Sequence, residues 1–398
     1  MIHIIDLNSY ENSHLLFNVS MLKVWLTITE SPITVYVQES HWKQLQSYFT
    51  SSELSRLSHS PTYNQKKSTS GLSKAISIVS KAYNDLFTFR RILQRAHRGS
   101  QDVIFLCTAH SISLLLLHYL KNSYPGVPVI STLHGEVEFI YFAQNKWEIN
   151  TGNLYKRIFK IEPPRLFYLF LNKISKKQLI KDRYVSESQS IEIDHPYIYN
   201  HAEITRTELN RGRLTIAHVG SMGIRKSAHL LYELAEKSQQ LIKNNLVEFW
   251  NIGPIEENVL PYKSQLVKDF TSSDGKSYIP RTLFDEKLRL IDYAVFFYNN
   301  EQFMFRASGA VHDVINFNRP IIVLKHPYFD YLFTEAGNIG FVCKDLTEMV
   351  ILIERLVSRE PELVEQYEQQ CNNIIAYKKR NDIPFVALDF KNQMAAII

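Results

Sequence analysis

Glycine and cysteine are scarce in this chain, with 13 Gly and 3 Cys in 398 residues. So few glycines without a triplet repeat exclude a collagenous fibre. The cysteines, at 107, 343 and 371, are odd in number, and no two have metal-ligand or redox spacing. A disulfide framework and a zinc module are therefore excluded, and reduced thiols in a cytosolic protein are expected. Long hydrophobic runs are missing too. VIFLC (103–107) and ISLLLLHYL (112–120) fall short of the roughly 20 residues that span a bilayer. The opening MIHIIDLNSY has neither the basic start nor the apolar core of a signal peptide. No charge sign dominates: 45 Lys+Arg face 40 Asp+Glu, net +5, which gives no call for a nucleic-acid partner. What is present is core material, 45% hydrophobic and 12% aromatic, which excludes disorder as the main state. At about 100–200 residues per domain the length predicts two domains.

Short apolar runs alternate with helical periods through the first half. Strands are expected at 2–6, 33–38, 102–109, 128–135, 166–172 and 190–197, and helices at 15–26, 41–49, 72–97 and 111–122. A polar linker spans 200–213. The pattern then restarts, with strands at 214–220, 247–253, 276–280, 293–299, 320–324 and 340–343 and helices at 227–242, 283–292, 308–317, 328–337, 346–357 and 361–378. Runs of four to eight apolar residues between helices read as parallel strands buried on both faces. The expected architecture is α/β, two Rossmann-like doubly wound domains facing each other across a cleft. Residues 1–200 form the first and 201–378 the second, and the tail 379–398 is expected to pack back on the first. In such folds ligands bind beyond the carboxyl ends of the strands, so the loops after strands hold the candidate chemistry.

Three loops stand out. HVGSMGIRKS (218–227) turns on Gly220 and Gly223 and offers Arg225 and Lys226 before a helix. Small residues there let backbone N–H groups approach an anion, and the two cations neutralise a diphosphate. An ordinary strand–helix turn is the bland reading. In RASGAVHDVINFNRPIIV (306–323), Ser308 is a helix N-cap and Gly309 and Ala310 leave the first turn open. Asp313, one turn on, suits ribose hydroxyls, or is simply a solvated helix acid. STLHGEVEF (131–139) places His134 and Glu136 after a buried strand, where either can take a proton from an attacking hydroxyl; a structural histidine is the plain alternative. His14 and His110 also fall on strand-end loops and are acceptor-side candidates. Segment 155–183 carries nine Lys/Arg against Glu162 and Asp182, interleaved with Phe159, Leu166, Phe167 and Tyr168. It reads as a buried strand followed by a solvated basic helix, or as a surface for anionic lipid headgroups.

Taken in order, these pieces resemble the GT-B fold glycosyltransferases, in particular the family-4-like group of bacterial sugar transferases. Gly220-Ser221-Met222-Gly223-Ile224-Arg225-Lys226-Ser227 is similar to that group's strand–Gly-Arg-Leu-x-x-x-Lys-Gly–helix. Lys226 falls on the diphosphate lysine, Ser221 on the arginine, and Arg225 stands nearby. Asn251-Ile252-Gly253-Pro254 matches its strand–Gly-x-Gly. The group's paired glutamates end seven residues before a Gly-x-Pro proline. Seven before Pro320 is Asp313, a shorter carboxylate in the ribose position; eight residues earlier stands Phe305 instead of Glu, and Glu301 is out of register. His134-Gly135 resembles the group's first-domain strand ending in histidine.

The resemblance implies transfer of a sugar from a nucleotide-diphosphate donor to a glycan or lipid-linked saccharide acceptor, in bacterial surface polysaccharide biosynthesis. Gly220, Ser221, Arg225, Lys226, Gly253, Ser308, Gly309, Ala310 and Asp313 would hold the donor. No Asp-x-Asp motif is present, so the implied chemistry is metal-independent, with no cofactor beyond the donor substrate. The implied location is the cytoplasm, with peripheral contact at the inner face of a membrane through 155–183. Two other readings stay open: a sugar-nucleotide epimerase or hydrolase on the same scaffold, and a non-catalytic glycosyltransferase-like partner protein.

Overall fold

A computed structural model describes residues 1–9, 14–63, 71–99, 101–201, 209, 212–275, 277–298 and 303–395, with only the backbone of 71–75. The chain divides into two compact units, Met1–Ile198 with Asn381–Ile398, and Tyr199–Arg380. Most of the polar linker, and Glu301, lie outside the described residues.

The first unit is built on seven strands, β1 (Ile2–Asp6), β2 (Ile33–Val37), β3 (Leu57–Pro61), β4 (Val103–Thr108), β5 (Val129–Leu133), β6 (Leu166–Phe170) and β7 (Ser190–Glu192). They pair in parallel in the order β3-β2-β1-β4-β5-β6-β7. The second unit contains β8 (Leu214–Val219), β9 (Val247–Ile252), β10 (Val267–Phe270), β11 (Tyr293–Phe296), β12 (Ile321–Leu324) and β13 (Gly340–Cys343). These are parallel in the order β10-β9-β8-β11-β12-β13. The central strands β1, β5, β8 and β11 are buried along their whole length, as helices on both faces require.

Differences from the sequence reading fall at the sheet edges. Of the strand expected at 276–280, residue 276 lies outside the described residues and 277–280 form no strand; the edge strand is VKDF, 267–270. In the first unit's sheet the edge strand LSHSP at 57–61 lies within a stretch that reads as polar loop. Edge strands have one partner and tolerate polar residues and Pro, which hides them from a search for apolar runs. The helix expected over 227–242 breaks at Ser238 into Leu230–Lys237 and Gln239–Lys243.

The helix Ile383–Ala395 packs against the helix Leu15–Ile28 of the first unit. Its Phe390 lies edge-on to Trp25, ring centroids 5.3 Å apart, and 6.2 Å from Phe105 of β4. Gln393 accepts a hydrogen bond from the Glu192 N–H at 2.9 Å, so the tail also covers the β7 edge. In segment 155–183, Phe159, Leu166, Phe167 and Tyr168 are buried. What this segment offers to solvent is therefore mostly basic side chains, with Glu162, Pro164 and Asp182 among them, while Lys173 and Lys176 pair with Glu192 at 3.9 and 3.8 Å.

Candidate active site

In the second unit, three loops at the carboxyl edge meet around Gly220. Gly220 has φ +96, and a Cβ there would stand 3.0 Å from the Cβ of Ala310, in the first turn of the helix Gly309–Asn316. Gly253, with φ +148, comes closer: its Cβ would lie 2.3 Å from the Gly220 carbonyl oxygen. Both positions thus need glycine, for backbone angle and for space. Gly309 has nothing within 4 Å of its missing side chain. A paired prediction arises here. Gly253→Ala should lower unfolding free energy by roughly 2 kcal/mol, whereas Gly309→Ala should be neutral or stabilising. Urea unfolding of both variants checks it.

Lys226 ends the short 3-10 turn Ile224–Lys226 and donates to the Ser221 carbonyl at 3.2 Å. Burial pulls its pKa down to about 8; Glu256 opposes this and Arg306 adds to it. Lys226 and Arg306 both stand over the Phe303 ring, 5.7 and 5.8 Å from its centroid. The loop after β11 therefore brings a second cation to the lysine. Ser308 caps its helix, accepting from the Val311 N–H at 3.4 Å and sharing a 2.7 Å hydrogen bond with the Tyr298 hydroxyl. The Val311 and His312 N–H groups bond back to the Ser308 carbonyl at 3.1 and 3.3 Å, while Gly309 is exposed at the helix start, where the positive end of a helix favours an anion.

Asp313, the candidate for ribose hydroxyls, is paired in this structure. Its Oδ1 accepts from Arg281 at 2.8 Å, and Arg281 also meets Asp285 at 2.8 Å. A partly exposed pair of this kind is worth no more than about 1 kcal/mol, so a ligand hydroxyl can compete for the carboxylate. Ser221 reaches Glu256 at 3.3 Å. Tyr278 reaches the Ser221 backbone. His218, at the end of β8, is buried and bonded to Asn251 at 3.3 Å. Burial and the charge of Lys226 hold its pKa down to about 3, so it is neutral. Phe305, where the resemblance expects a glutamate, is buried.

The first unit collects its candidates on the carboxyl edge of β1, β4 and β5. His14 sits in the left-handed region at φ 52, and its ring meets His134 edge-on at 5.4 Å. The His134 Nε2–H donates to the Cys107 carbonyl at 2.7 Å, which leaves Nδ1 as the acceptor nitrogen. Burial, with His14 adding to it, lowers its pKa to about 4. Such a ring orients a hydroxyl well but is a weak proton acceptor at neutral pH. Glu136 lies 3.7 Å from His110 Nδ1 and takes a hydrogen bond from the buried Tyr155 hydroxyl, whose pKa is raised by burial and by that carboxylate. The four candidates thus fall into two pairs, His14 with His134 and His110 with Glu136.

Several residues escaped the sequence reading. Arg306 stands two places before a helix cap, a local signal that was available. Arg281 and Tyr278 had none. Asp6, fully buried at the end of β1, gathers donors from Asn8, Ser9, Asn18 and Thr108.

No family profile and no curated protein matches this chain. Among solved structures, it resembles Anabaena Alr3699/HepE, whose structure holds UDP-glucose, at 12% identity over 99% of both chains, with a TM-score of 0.65. A glycosyltransferase from Rickettsia africae ESF-5 is 11% identical over 99% of this chain and 98% of that one, TM-score 0.65. WaaG, a glycosyltransferase involved in lipopolysaccharide biosynthesis, is 11% identical over 98% and 99%, TM-score 0.61. At these identities the likeness shows the fold: two parallel-sheet α/β domains of the GT-B type.

Proposed function

We propose that the chain is a glycosyltransferase of the family-4-like type, working in the cytoplasm on a nucleotide-diphosphate-sugar donor. The observation that carries this is the meeting of Lys226, Arg306 and the open helix start at Ser308–Ala310 around Gly220. Cations and first-turn amides converging on a glycine turn suit a diphosphate, and they stabilise the charge it gains as a leaving group without calling on a metal ion. HepE and its UDP-glucose support a nucleotide sugar as the class of donor. Arg225 lies on the same loop and Gly253 shapes it from below, while Asp313 holds the ribose in competition with Arg281.

On the first unit, His134 and Glu136, with His14 and His110 beside them, serve the acceptor hydroxyl. The acceptor is a glycan or lipid-linked saccharide, the transfer is of a hexose, and the product belongs to a surface polysaccharide. Incubating the pure protein with a panel of nucleoside-diphosphate sugars tests this. Nucleotide release that depends on a saccharide acceptor is expected, and Asp313→Asn should raise the donor KM about tenfold with kcat little changed. Release that ignores acceptors would mark a hydrolase; binding without release, a non-catalytic partner.

A further inference from the structure

Four polar atoms at one end of the first unit's sheet are buried and have no hydrogen-bond partner among the described residues. They are Asn8 Oδ1, Asn18 Oδ1, Gln38 Nε2 and Thr62 Oγ1. Asn18 is 2% exposed and Gln38 3%. Asn8 follows β1, Gln38 follows β2 and Thr62 follows β3, three neighbouring strands of one sheet. Hydrogen bonds join the set. The Asn18 amide donates to Asp6 Oδ2 at 2.7 Å and to His41 Nε2 at 2.9 Å. The His41 N–H donates to the Gln38 carbonyl at 3.1 Å, and the Thr62 N–H to the Val37 carbonyl at 3.0 Å. With both of its N–H bonds spent, Asn18 has its carbonyl oxygen left over. Each such atom costs stability while unpaired, and several on adjacent strand ends form the convergent polar set of a binding site.

The chemistry of the set identifies the ligand class. Asn8 and Asn18 offer acceptors, Gln38 a donor, and the Thr62 hydroxyl does either. Charges of both signs are already engaged. The Asp6 carboxylate takes hydrogen bonds from Asn8, Ser9, Asn18 and Thr108. The Lys81 amine spends its three protons on the Leu7 carbonyl at 3.3 Å, the Tyr63 hydroxyl at 3.2 Å and Asp85 at 3.2 Å. An anion or a cation therefore finds no counter-charge at these strand ends. A neutral ligand rich in hydroxyl groups, each both donor and acceptor, matches them, and a sugar ring is such a ligand.

We infer that the carboxyl edge of β1–β3 is a saccharide subsite, distinct from the His14–His134 and His110–Glu136 pairs. Gln38 after β2 and Glu136 after β5 stand three strand intervals apart, about 14 Å across the sheet. That is wider than one sugar ring, so the ligand is an oligosaccharide, with one ring at the β1–β3 edge and another at the pairs. Its role as acceptor rests on the proposed function; its binding does not.

Saturation-transfer NMR of the full chain with maltotriose, cellotriose, chitotriose and mannotriose, without nucleotide, tests it. At least one trisaccharide is expected to bind. Gln38→Leu and Thr62→Val remove the unpaired atoms at nearly constant volume, and each should weaken that binding about tenfold. Their urea midpoints should stay level or rise, because a buried group without a partner is lost. Ser131→Ala removes another unpaired buried hydroxyl, in the middle of β5, and should bind the trisaccharide like the parent. No binding of any of the four, parent-like binding in both edge variants, or equal loss in Ser131→Ala would overturn the inference. So would lower urea midpoints in Gln38→Leu and Thr62→Val with binding unchanged, which would mark atoms that hold ordered water only. Trisaccharide binding without turnover of any nucleotide sugar would overturn the proposed function and leave the subsite standing.

Discussion

Lys226→Met is expected to lower transfer by about 10²–10³-fold, the usual cost of removing one preorganised group from developing charge. Its pH signature is sharper than its size. In the free protein Lys226 has a pKa of about 8, pulled down by burial and Arg306. A diphosphate favours the charged amine, so the bound pKa is higher than the free one. Donor affinity should then be flat below pH 8 and fall by up to tenfold per unit above it, until the bound pKa is reached. Calorimetry at pH 8.5 in buffers of different ionisation enthalpy should show proton uptake on nucleotide binding. Lys226→Met should abolish both the uptake and the slope, and Lys226→Arg should restore affinity without the slope. Wild-type affinity and the same profile in Lys226→Met would remove the lysine from the donor site.

The parts legible in the sequence are those whose physics is local. A strand buried on both faces writes itself as an apolar run, so LTIAHV and VIFLCT read directly. The Ser308 cap reads directly as well, because its partner, the Val311 N–H, is three residues away. Two of the four edge strands, β3 and β10, did not read, since a single neighbour leaves room for Ser, His, Lys and Asp. Side-chain partnerships across the fold were silent for a different reason. Arg281 and Asp313 are 32 residues apart and become neighbours only when their helices pack. Nothing in the spacing of His134 announces that its Nε2–H is committed to Cys107, 27 residues earlier. Residue type and strand-end position mark the candidates; which groups are already engaged, and which cations share a ring, are set by how the elements pack.

Asp6 is the extreme case, and replacing it should have the largest effect on stability. Its Oδ1 accepts from the Asn8 and Ser9 N–H groups, both at 2.9 Å, and from Thr108 Oγ1 at 2.5 Å. Its Oδ2 takes Ser9 Oγ at 2.6 Å and Asn18 Nδ2 at 2.7 Å. Burial raises the carboxyl pKa, but the bonds from Ser9, Thr108 and Asn18 outweigh it and leave the group below its ordinary 3.8. One ionised side chain thus ties the loop after β1 to β4 and to the helix Leu15–Ile28. Asp6→Leu should cost about 4 kcal/mol, because it leaves several buried donors unpaired at once. Asp6→Asn keeps the shape but turns an amide toward donors, and should cost about 2 kcal/mol. Since the folded pKa is depressed, the ionised group's contribution is complete above the unfolded value and is lost as pH falls through the folded one. The gap between wild type and Asp6→Asn in urea unfolding should therefore be constant from pH 8 to about 5 and close below about 4. A gap that persists unchanged into acid would mean that the side chain acts by shape, and that its charge contributes nothing.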